Sequence, residues 1–326
     1  MAKLGGWTTG LKALLLLWLA ILAPAMANAT SLYEQPKYAA ILMDANTHEV
    51  LYARRADELR YPASITKVMT LYLAFEAIEA GKLKLTDRVP ISRHAAAQAP
   101  SKLGLRAGSS LSVDEAIRVI AVKSANDIAV ALGEKLAGTE TAFAAKMTAK
   151  AHQLGMKNTH FVNASGLPAP KHLTTARDIA IMSMAMIRNF PHYYSYFSQQ
   201  SYSWGKQTLT NHNHLLGKLP GVDGIKTGFT NAAGFTLAAS AVRNGRRLVA
   251  VVLGGPSTAA RDANVTALIN AGFDVINQRT RGQRTTVAAN LNEPAMELPA
   301  RGYALAIEQG SGDDRVVGSG GKLLQH

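Results

Sequence analysis

The sequence predicts an α+β protein: an antiparallel sheet flanked by helices, with a helical lobe inserted between its strands. Three observations predict it. Strand-like apolar segments come first, a long stretch of mainly helical pattern follows over residues 81–196, and strand patterns return after Asn211 before one closing helix. Two lobes joined this way leave a cleft between them, the natural place for a site.

Each element follows from its residues. Residues 38–44 read as a strand, Asp44 to Thr47 have turn chemistry, and residues 50–53 read as the returning strand of a hairpin. Pro62, Ala63 and Ser64 introduce a helix whose next residues (Val68, Met69, Leu71, Tyr72, Leu73, Phe75) are mostly apolar, so it is expected to be buried. Ser112 with Glu115 resembles a capping box opening a helix through Val122. Residues 126–136, 139–154 and 175–188 have helical composition and capping residues, with Gly104, Gly108, Gly155 and Gly166 in the loops. Residues 224–229, 235–243 and 247–253 read as strands, the last two joined by an Asn244-Gly245 hairpin turn. Ser257 caps a closing helix over residues 257–277.

Residues 1–29 read as a signal peptide. Lys3 and Lys12 form its positive region, residues 13–23 are apolar and uncharged, Pro24 breaks the run, and Ala27-Asn28-Ala29 offers small residues for cleavage after Ala29, with Ala25-Met26-Ala27 as an alternative. The apolar run falls short of the about 20 residues that a span needs. A catalytic domain is expected over residues 30–280 and a short tail over 281–326, where glycine, asparagine, proline and charges are frequent and no amphipathic anchor is seen.

An exported chain without cysteine must be held by its core alone, which 326 residues at 48% hydrophobic content allow. It also excludes a thiol nucleophile and a thiolate metal site. The formal charge is +13, of which Lys3 and Lys12 leave with the signal. Outside the cytoplasm this basicity points away from nucleic acid and toward anionic envelope polymers or peptides, although most of it reads as scattered, solvated surface.

Three short segments carry the chemistry. In Ser64-Ile65-Thr66-Lys67, residues three apart share a helix face, so an amine can reach a hydroxyl that is a poor nucleophile until a base takes its proton. Lysine is that base only when burial or a neighbouring cation lowers its pKa, and Lys226 is the candidate cation. In Ser124-Ala125-Asn126 a hydroxyl can relay a proton and an amide can hold a backbone carbonyl, or both residues can simply cap a helix. In Lys226-Thr227-Gly228 a cation and a hydroxyl suit a substrate carboxylate, and Gly228 lets a backbone approach the strand. Any one of these alone is common.

Together, in this order, they resemble the motif set of penicillin-binding proteins and class A β-lactamases, which is a known signature of those enzymes. The flanking Tyr38-Ala39-Ala40, Met43-Asp44-Ala45-Asn46-Thr47, Arg60-Tyr61-Pro62-Ala63 and Asp223-Gly224-Ile225 make the chain similar, over residues 33–278, to the D-alanyl-D-alanine carboxypeptidases of serine peptidase family S11. The resemblance implies a β-lactamase/penicillin-binding transpeptidase-like fold and no cofactor or metal. It implies Ser64 as nucleophile, with Lys67 and Ser124 as the other catalytic residues. Asn126, Lys226, Thr227, Gly228, Phe229 and Arg261 are then substrate-binding, the Ser64 and Phe229 amides forming an oxyanion hole and Arg261 helping to hold the terminal carboxylate. The implied partners are peptidoglycan stem peptides ending in D-Ala-D-Ala, and β-lactams as covalent inhibitors, in the periplasm or cell envelope. Many relatives carry a β-rich second domain and an anchoring helix; residues 281–326 are too few for that domain, so no tether is carried over.

Three other readings use the same residues: a D,D-endopeptidase cutting cross-links, a β-lactamase, which needs a deacylating glutamate not seen in a comparable loop between Asn126 and Lys226 (Glu134 and Glu140 fall in predicted helices), and a non-catalytic wall sensor. His212 and His214 lack a nearby acidic or histidine partner for a metal and read as turn residues. Tyr193, Tyr194 and Tyr196 read as buried aromatics.

Overall fold

In a computed structural model, which describes residues 37–297, β1 (Ala39–Asp44) and β2 (Val50–Arg54) form the expected hairpin. The Asp44 carboxylate closes its turn by accepting from the Asn46 and Thr47 amides at 2.8 and 3.0 Å. A single 3-10 turn, Ala63–Ile65, then leads into α1 (Thr66–Glu79), which is buried for most of its length. Short strands β3 (Arg88–Pro90) and β4 (Ser110–Ser112) pair before α2 (Val113–Val122), where both bonds of the Ser112–Glu115 capping box are made. The lobe is completed by α3 (Asn126–Ala137), α4 (Glu140–Gln153) and α5 (Ala176–Asn189), the last two capped by the Thr139 and Thr175 hydroxyls.

A small hairpin, β5 (Ser201–Trp204) and β6 (Gln207–Thr210), precedes the long strands β7 (Val222–Thr230), β8 (Gly234–Arg243) and β9 (Arg246–Gly255). The closing helix α6 (Thr258–Thr280) starts where Ser257 accepts from the Ala260 amide.

The main sheet runs β2-β1-β9-β8-β7, antiparallel throughout. Its inner strands are buried on both faces, which is why they read as continuous apolar runs and not as alternations. Ile41, Met43, Val249 and Val251 join the core of the helical side, whereas Ala40, Leu42, Leu248 and Ala250 join Val265, Leu268 and Ile269 of α6. Gly272 lets α6 lie close on the sheet: a Cβ there would meet Leu42 Cδ2 at 2.6 Å and Leu248 Cδ1 at 2.7 Å.

Past α6 the described chain stays on the domain. Val287 and Met296 are buried in the core under α6. The Glu293 carboxylate accepts from the Tyr38 hydroxyl, from the Tyr52 hydroxyl at 3.1 Å and from the Arg54 guanidinium, while Glu297 pairs with Arg54 and Arg55. The expected signal peptide and residues 298–326 of the expected tail lie outside the described residues. Among those described, no helix is long and apolar enough to cross a membrane.

Candidate active site

Ser64 stands in the 3-10 turn just ahead of α1, beside a strained residue. Ala63 has φ +47°, and the chain of Gly166 presses on it so closely that a Cβ at Gly166 would lie 1.9 Å from the Ala63 carbonyl oxygen. One turn of helix later, Lys67 is fully enclosed. Its Nζ lies 2.8 Å from Ser64 Oγ, 2.7 Å from Asn126 Oδ1 and 2.6 Å from the Ser165 carbonyl oxygen.

These three contacts fix what the amine can do. Asn126 Oδ1 and the Ser165 carbonyl only accept, so they claim two N–H bonds in either protonation state. A neutral Lys67 has two N–H bonds and one lone pair, and the lone pair is left to face the Ser64 hydroxyl. Burial pushes the Lys67 pKa well below the usual lysine value, the charge of Lys226 lowers it further, and Asp127 opposes both. The enclosure thus favours the neutral amine, whose lone pair would face the hydroxyl. The Asn126 oxygen can be assigned to this contact because its Nδ2 donates to the Ala99 carbonyl at 2.9 Å.

A cleft of about 490 Å³ opens on Ser64. Ser124, Asn126, Thr227, Gly228, Phe229 and Arg261 all line it, so seven of the nine residues expected from sequence border the cleft, and Lys67, the eighth, bonds to Ser64 and Asn126 in its wall. Ser124 is held in the left-handed region at φ +64°, and α3 is capped by neither Ser124 nor Asn126, which excludes simple capping as their role. The Asp127 carboxylate accepts the first-turn amide of Ile128 at 2.9 Å and also holds the amides of Leu103 and Gly104 at 3.0 and 2.8 Å.

Lys226 is the ninth. It is enclosed behind the wall, where its Nζ donates to the Thr227 carbonyl at 3.1 Å. Burial and, after it, the charge of Arg261 bring its pKa to about 7. Arg261, in the first turn of α6, is no surface residue. It is buried, with its Nε donating to Asp262 Oδ1 at 2.9 Å. Its Nη2 is 2.7 Å from the same oxygen but poorly aligned with it, and has no hydrogen-bond acceptor among the described residues. An enclosed guanidinium N–H left open beside a cleft suits a carboxylate oxygen.

Phe229 stacks on Phe235, with ring centroids 4.3 Å apart, and forms the exposed apolar rim. The turn histidines are closer to the chemistry than their sequence context indicates: His212 and His214 border the cleft, and His214 Nδ1 is 3.4 Å from Asp262 Oδ2. No group of three metal-binding side chains occurs among the described residues. Tyr193, Tyr194 and Tyr196 belong to the core around Phe75 and Phe197.

Sequence reasoning missed the Ser165 carbonyl and the loop that carries it. Asn163 Oδ1 bonds the Ser165 and Gly166 amides, shaping a turn that aims the carbonyl at Lys67. A backbone acceptor leaves no side-chain signature; the asparagine followed by a loop glycine was the only trace. Behind it His172, whose pKa burial lowers to about 3, accepts the Val162 amide on Nδ1 at 3.0 Å, so its Nε2 carries the proton toward Thr66 Oγ1 at 2.8 Å.

Comparison with known proteins shows the family and the fold. The sequence profile of D-alanyl-D-alanine carboxypeptidases (Peptidase S11) matches residues 26–257. The chain is 38% identical to D-alanyl-D-alanine carboxypeptidase DacF of Bacillus subtilis (strain 168) over 239 residues, 72% of this chain and 61% of that one. It resembles the crystal structure of penicillin binding protein 5 from Haemophilus influenzae, with TM-score 0.70, 37% identity and coverage of 72% and 70% of the two chains. It also resembles penicillin-binding protein D2 from Listeria monocytogenes in its cefotaxime-bound form, with TM-score 0.66, 31% identity and coverage of 72% and 96%. The chain spans about three fifths of the length of the curated relatives it matches first, 61% and 60%.

Proposed function

Since the chain belongs to the D-alanyl-D-alanine carboxypeptidase family, we propose that it is a serine-type D-Ala-D-Ala carboxypeptidase that trims peptidoglycan stem peptides in the cell envelope and is acylated by β-lactams. The observation that carries this reading is the enclosed Lys67 Nζ 2.8 Å from Ser64 Oγ, with its other two contacts occupied by acceptors.

In this reading the neutral Lys67 takes the Ser64 proton as Oγ attacks the carbonyl between the two D-alanines. The amides of Ser64 and Phe229 hold the oxyanion. The C–N bond then breaks, the proton passes by way of Ser124 to the departing amine, and the terminal D-alanine leaves. Water hydrolyses the remaining ester and restores Ser64. Asn126 Nδ2 and Oδ1 are both engaged in the free enzyme, so the amide side chain is held rigidly where a substrate backbone can bond it. Thr227 and the open N–H of Arg261 hold the terminal carboxylate. Lys226, enclosed behind them, contributes its charge to that pocket and to the pKa of Lys67.

The test combines two measurements. Intact mass after penicillin exposure, with peptide mapping, is expected to show one adduct on Ser64. Incubation with a soluble pentapeptide is expected to release D-alanine. Loss of cross-linked dimers from sacculi without D-alanine release from the pentapeptide would assign endopeptidase chemistry to the same site, and rapid penicillin turnover would assign a β-lactamase.

A further inference from the structure

Among the described residues the cleft is lined by basic side chains, Lys102, Lys123, His212, His214 and Arg261, and by no aspartate or glutamate. They fall into two groups. The histidines precede β7 and Arg261 starts α6, on the side of the sheet, where the proposed reading places the terminal carboxylate. Lys102 and Lys123 come from the helical lobe, where that carboxylate has no use for them.

The two lysines stand on one stiff platform. The Asn126 amide donates to the Ser101 carbonyl at 2.7 Å, Asn126 Nδ2 donates to the Ala99 carbonyl at 2.9 Å, and Ser101 Oγ donates to the Lys123 carbonyl at 3.2 Å. On the other side of Lys102, the Leu103 and Gly104 amides are fastened to the Asp127 carboxylate. The loop holding Lys102 is thus tied on both sides to the turn that carries Lys123, Ser124 and Asn126. Neither lysine pairs with a carboxylate among the described residues, and Lys102 Nζ touches only the Ala96 carbonyl at 3.3 Å. Uncompensated like charges sharing a concavity focus a positive potential, and an anion entering it breaks no existing ion pair.

We propose that Lys102 and Lys123 form an anion subsite on the acyl side of the scissile bond, which takes a free side-chain carboxylate of the peptide just upstream of D-alanyl-D-alanine. The assignment rests on the carboxypeptidase reading: with the terminal carboxylate at Arg261 and the scissile carbonyl at Ser64, the peptide that continues past Asn126 reaches the two lysines. Substrates with an acidic side chain there are bound at both ends, and substrates with an amide in its place at one.

The test uses the full chain and two N-acetylated tripeptides ending in D-alanyl-D-alanine, one with glutamate and one with glutamine at its first position. At low salt the glutamate peptide is expected to be favoured about tenfold in kcat/KM, less so as salt screens the charges. The double variant Lys102→Met, Lys123→Met is expected to bring the ratio to about one, through loss on the glutamate peptide. Lys102→Glu, at an exposed position, is expected to invert the preference and serves if the double variant does not fold. Equal rates for the two peptides in the unaltered protein, or a preference that survives these substitutions, overturn the subsite while leaving the carboxypeptidase reading standing. Release of D-alanine from neither peptide, with no penicillin adduct on Ser64, overturns both.

Discussion

Gly228 lies against the amide of Ser64: a Cβ built on it would stand 2.7 Å from that nitrogen, 2.7 Å from Thr236 Oγ1 and 3.0 Å from Ala63 Cβ. Two of the three neighbours belong to the turn that carries Ser64, so there is no flexible side-chain end to move aside. Gly228→Ala must therefore displace either β7 or Ser64. A displacement on the ångström scale is enough to lower the rate of Ser64 acylation by about a hundredfold, while overpacking costs only about 1–3 kcal/mol of stability. Stopped-flow labelling with a fluorescent penicillin, alongside a urea melt, checks both. Unchanged acylation would show that the approach of strand and nucleophile is not part of the site.

Ser64→Ala is expected to abolish penicillin labelling with the fold intact. Lys67→Ala removes the proposed base and is expected to lower acylation by about 10²–10⁴-fold. Lys67→Arg is expected not to restore it, because a guanidinium keeps its proton at any working pH. Full rescue by arginine would mean that position 67 acts only as a cation.

The pH profile separates the two lysines. In the proposed reading acylation needs a neutral Lys67, so its rate is expected to rise with pH as Lys67 loses its proton. Burial and the Lys226 charge both lower that pKa. Lys226→Gln removes the neighbouring charge, so the Lys67 pKa goes up and the rising limb of kcat/KM moves to higher pH. A limb that stays in place, or moves down, would show that Lys226 does not act on Lys67.

Lys226 also makes stability depend on pH. Its pKa is about 7 in the folded protein against an ordinary 10.5, so between those values the unfolded chain binds more protons than the native one. Stability then rises with pH across this window, by up to about 1.4 kcal/mol per pH unit for one group. Lys226→Met is expected to lose that rise. Urea melts of both proteins at pH 7, 8 and 9 test it, and parallel profiles would refute the enclosed, weakly basic lysine.

Much of the fold was legible because its signals are local. The capping box at Ser112 and Glu115, the Thr139, Thr175 and Ser257 caps and the Asn244-Gly245 turn are each decided within a few residues, and each appears in place. The three motifs were legible as side chains for the same reason. What stayed hidden depends on contacts across the chain. The third partner of Lys67 is a backbone carbonyl 98 residues away. The enclosure of Lys226, and with it the transfer of the open cation to Arg261, follows from how β7 packs against its neighbours. β5 and β6 were passed over because only Leu209 among their residues is buried, so they show little apolar alternation. The histidines at 212 and 214 gave no motif at all; their place at the cleft is set by where the chain leaves the helical lobe.

The segment after α6 was the least legible, and it supports the last prediction. Its composition reads as irregular, yet Glu293 accepts from the hydroxyl of Tyr38, just ahead of β1, and from Tyr52 and Arg54 of the edge strand β2. Burial and this carboxylate hold the Tyr38 hydroxyl well above the usual tyrosine value, so it stays a donor. The Tyr38 hydroxyl also bonds Asn264 Oδ1 on α6 at 3.2 Å, which ties the strands, the helix and the segment at one point. Met296 closes the same side, its Cε 3.5 Å from where a Gly255 Cβ would lie, next to Arg261 Cβ at 3.2 Å. Removing the acceptor leaves the fully buried Tyr38 with one partner where it had two. Glu293→Ala is therefore expected to cost about 1–3 kcal/mol, and Glu293→Gln less, since an amide oxygen still accepts from the tyrosines. The Ser64 and Lys67 contacts lie on other elements, so penicillin acylation of the folded protein should persist at its original rate. Urea unfolding paired with penicillin labelling tests this directly: stability equal to the parent's would show that the segment merely rests on the sheet.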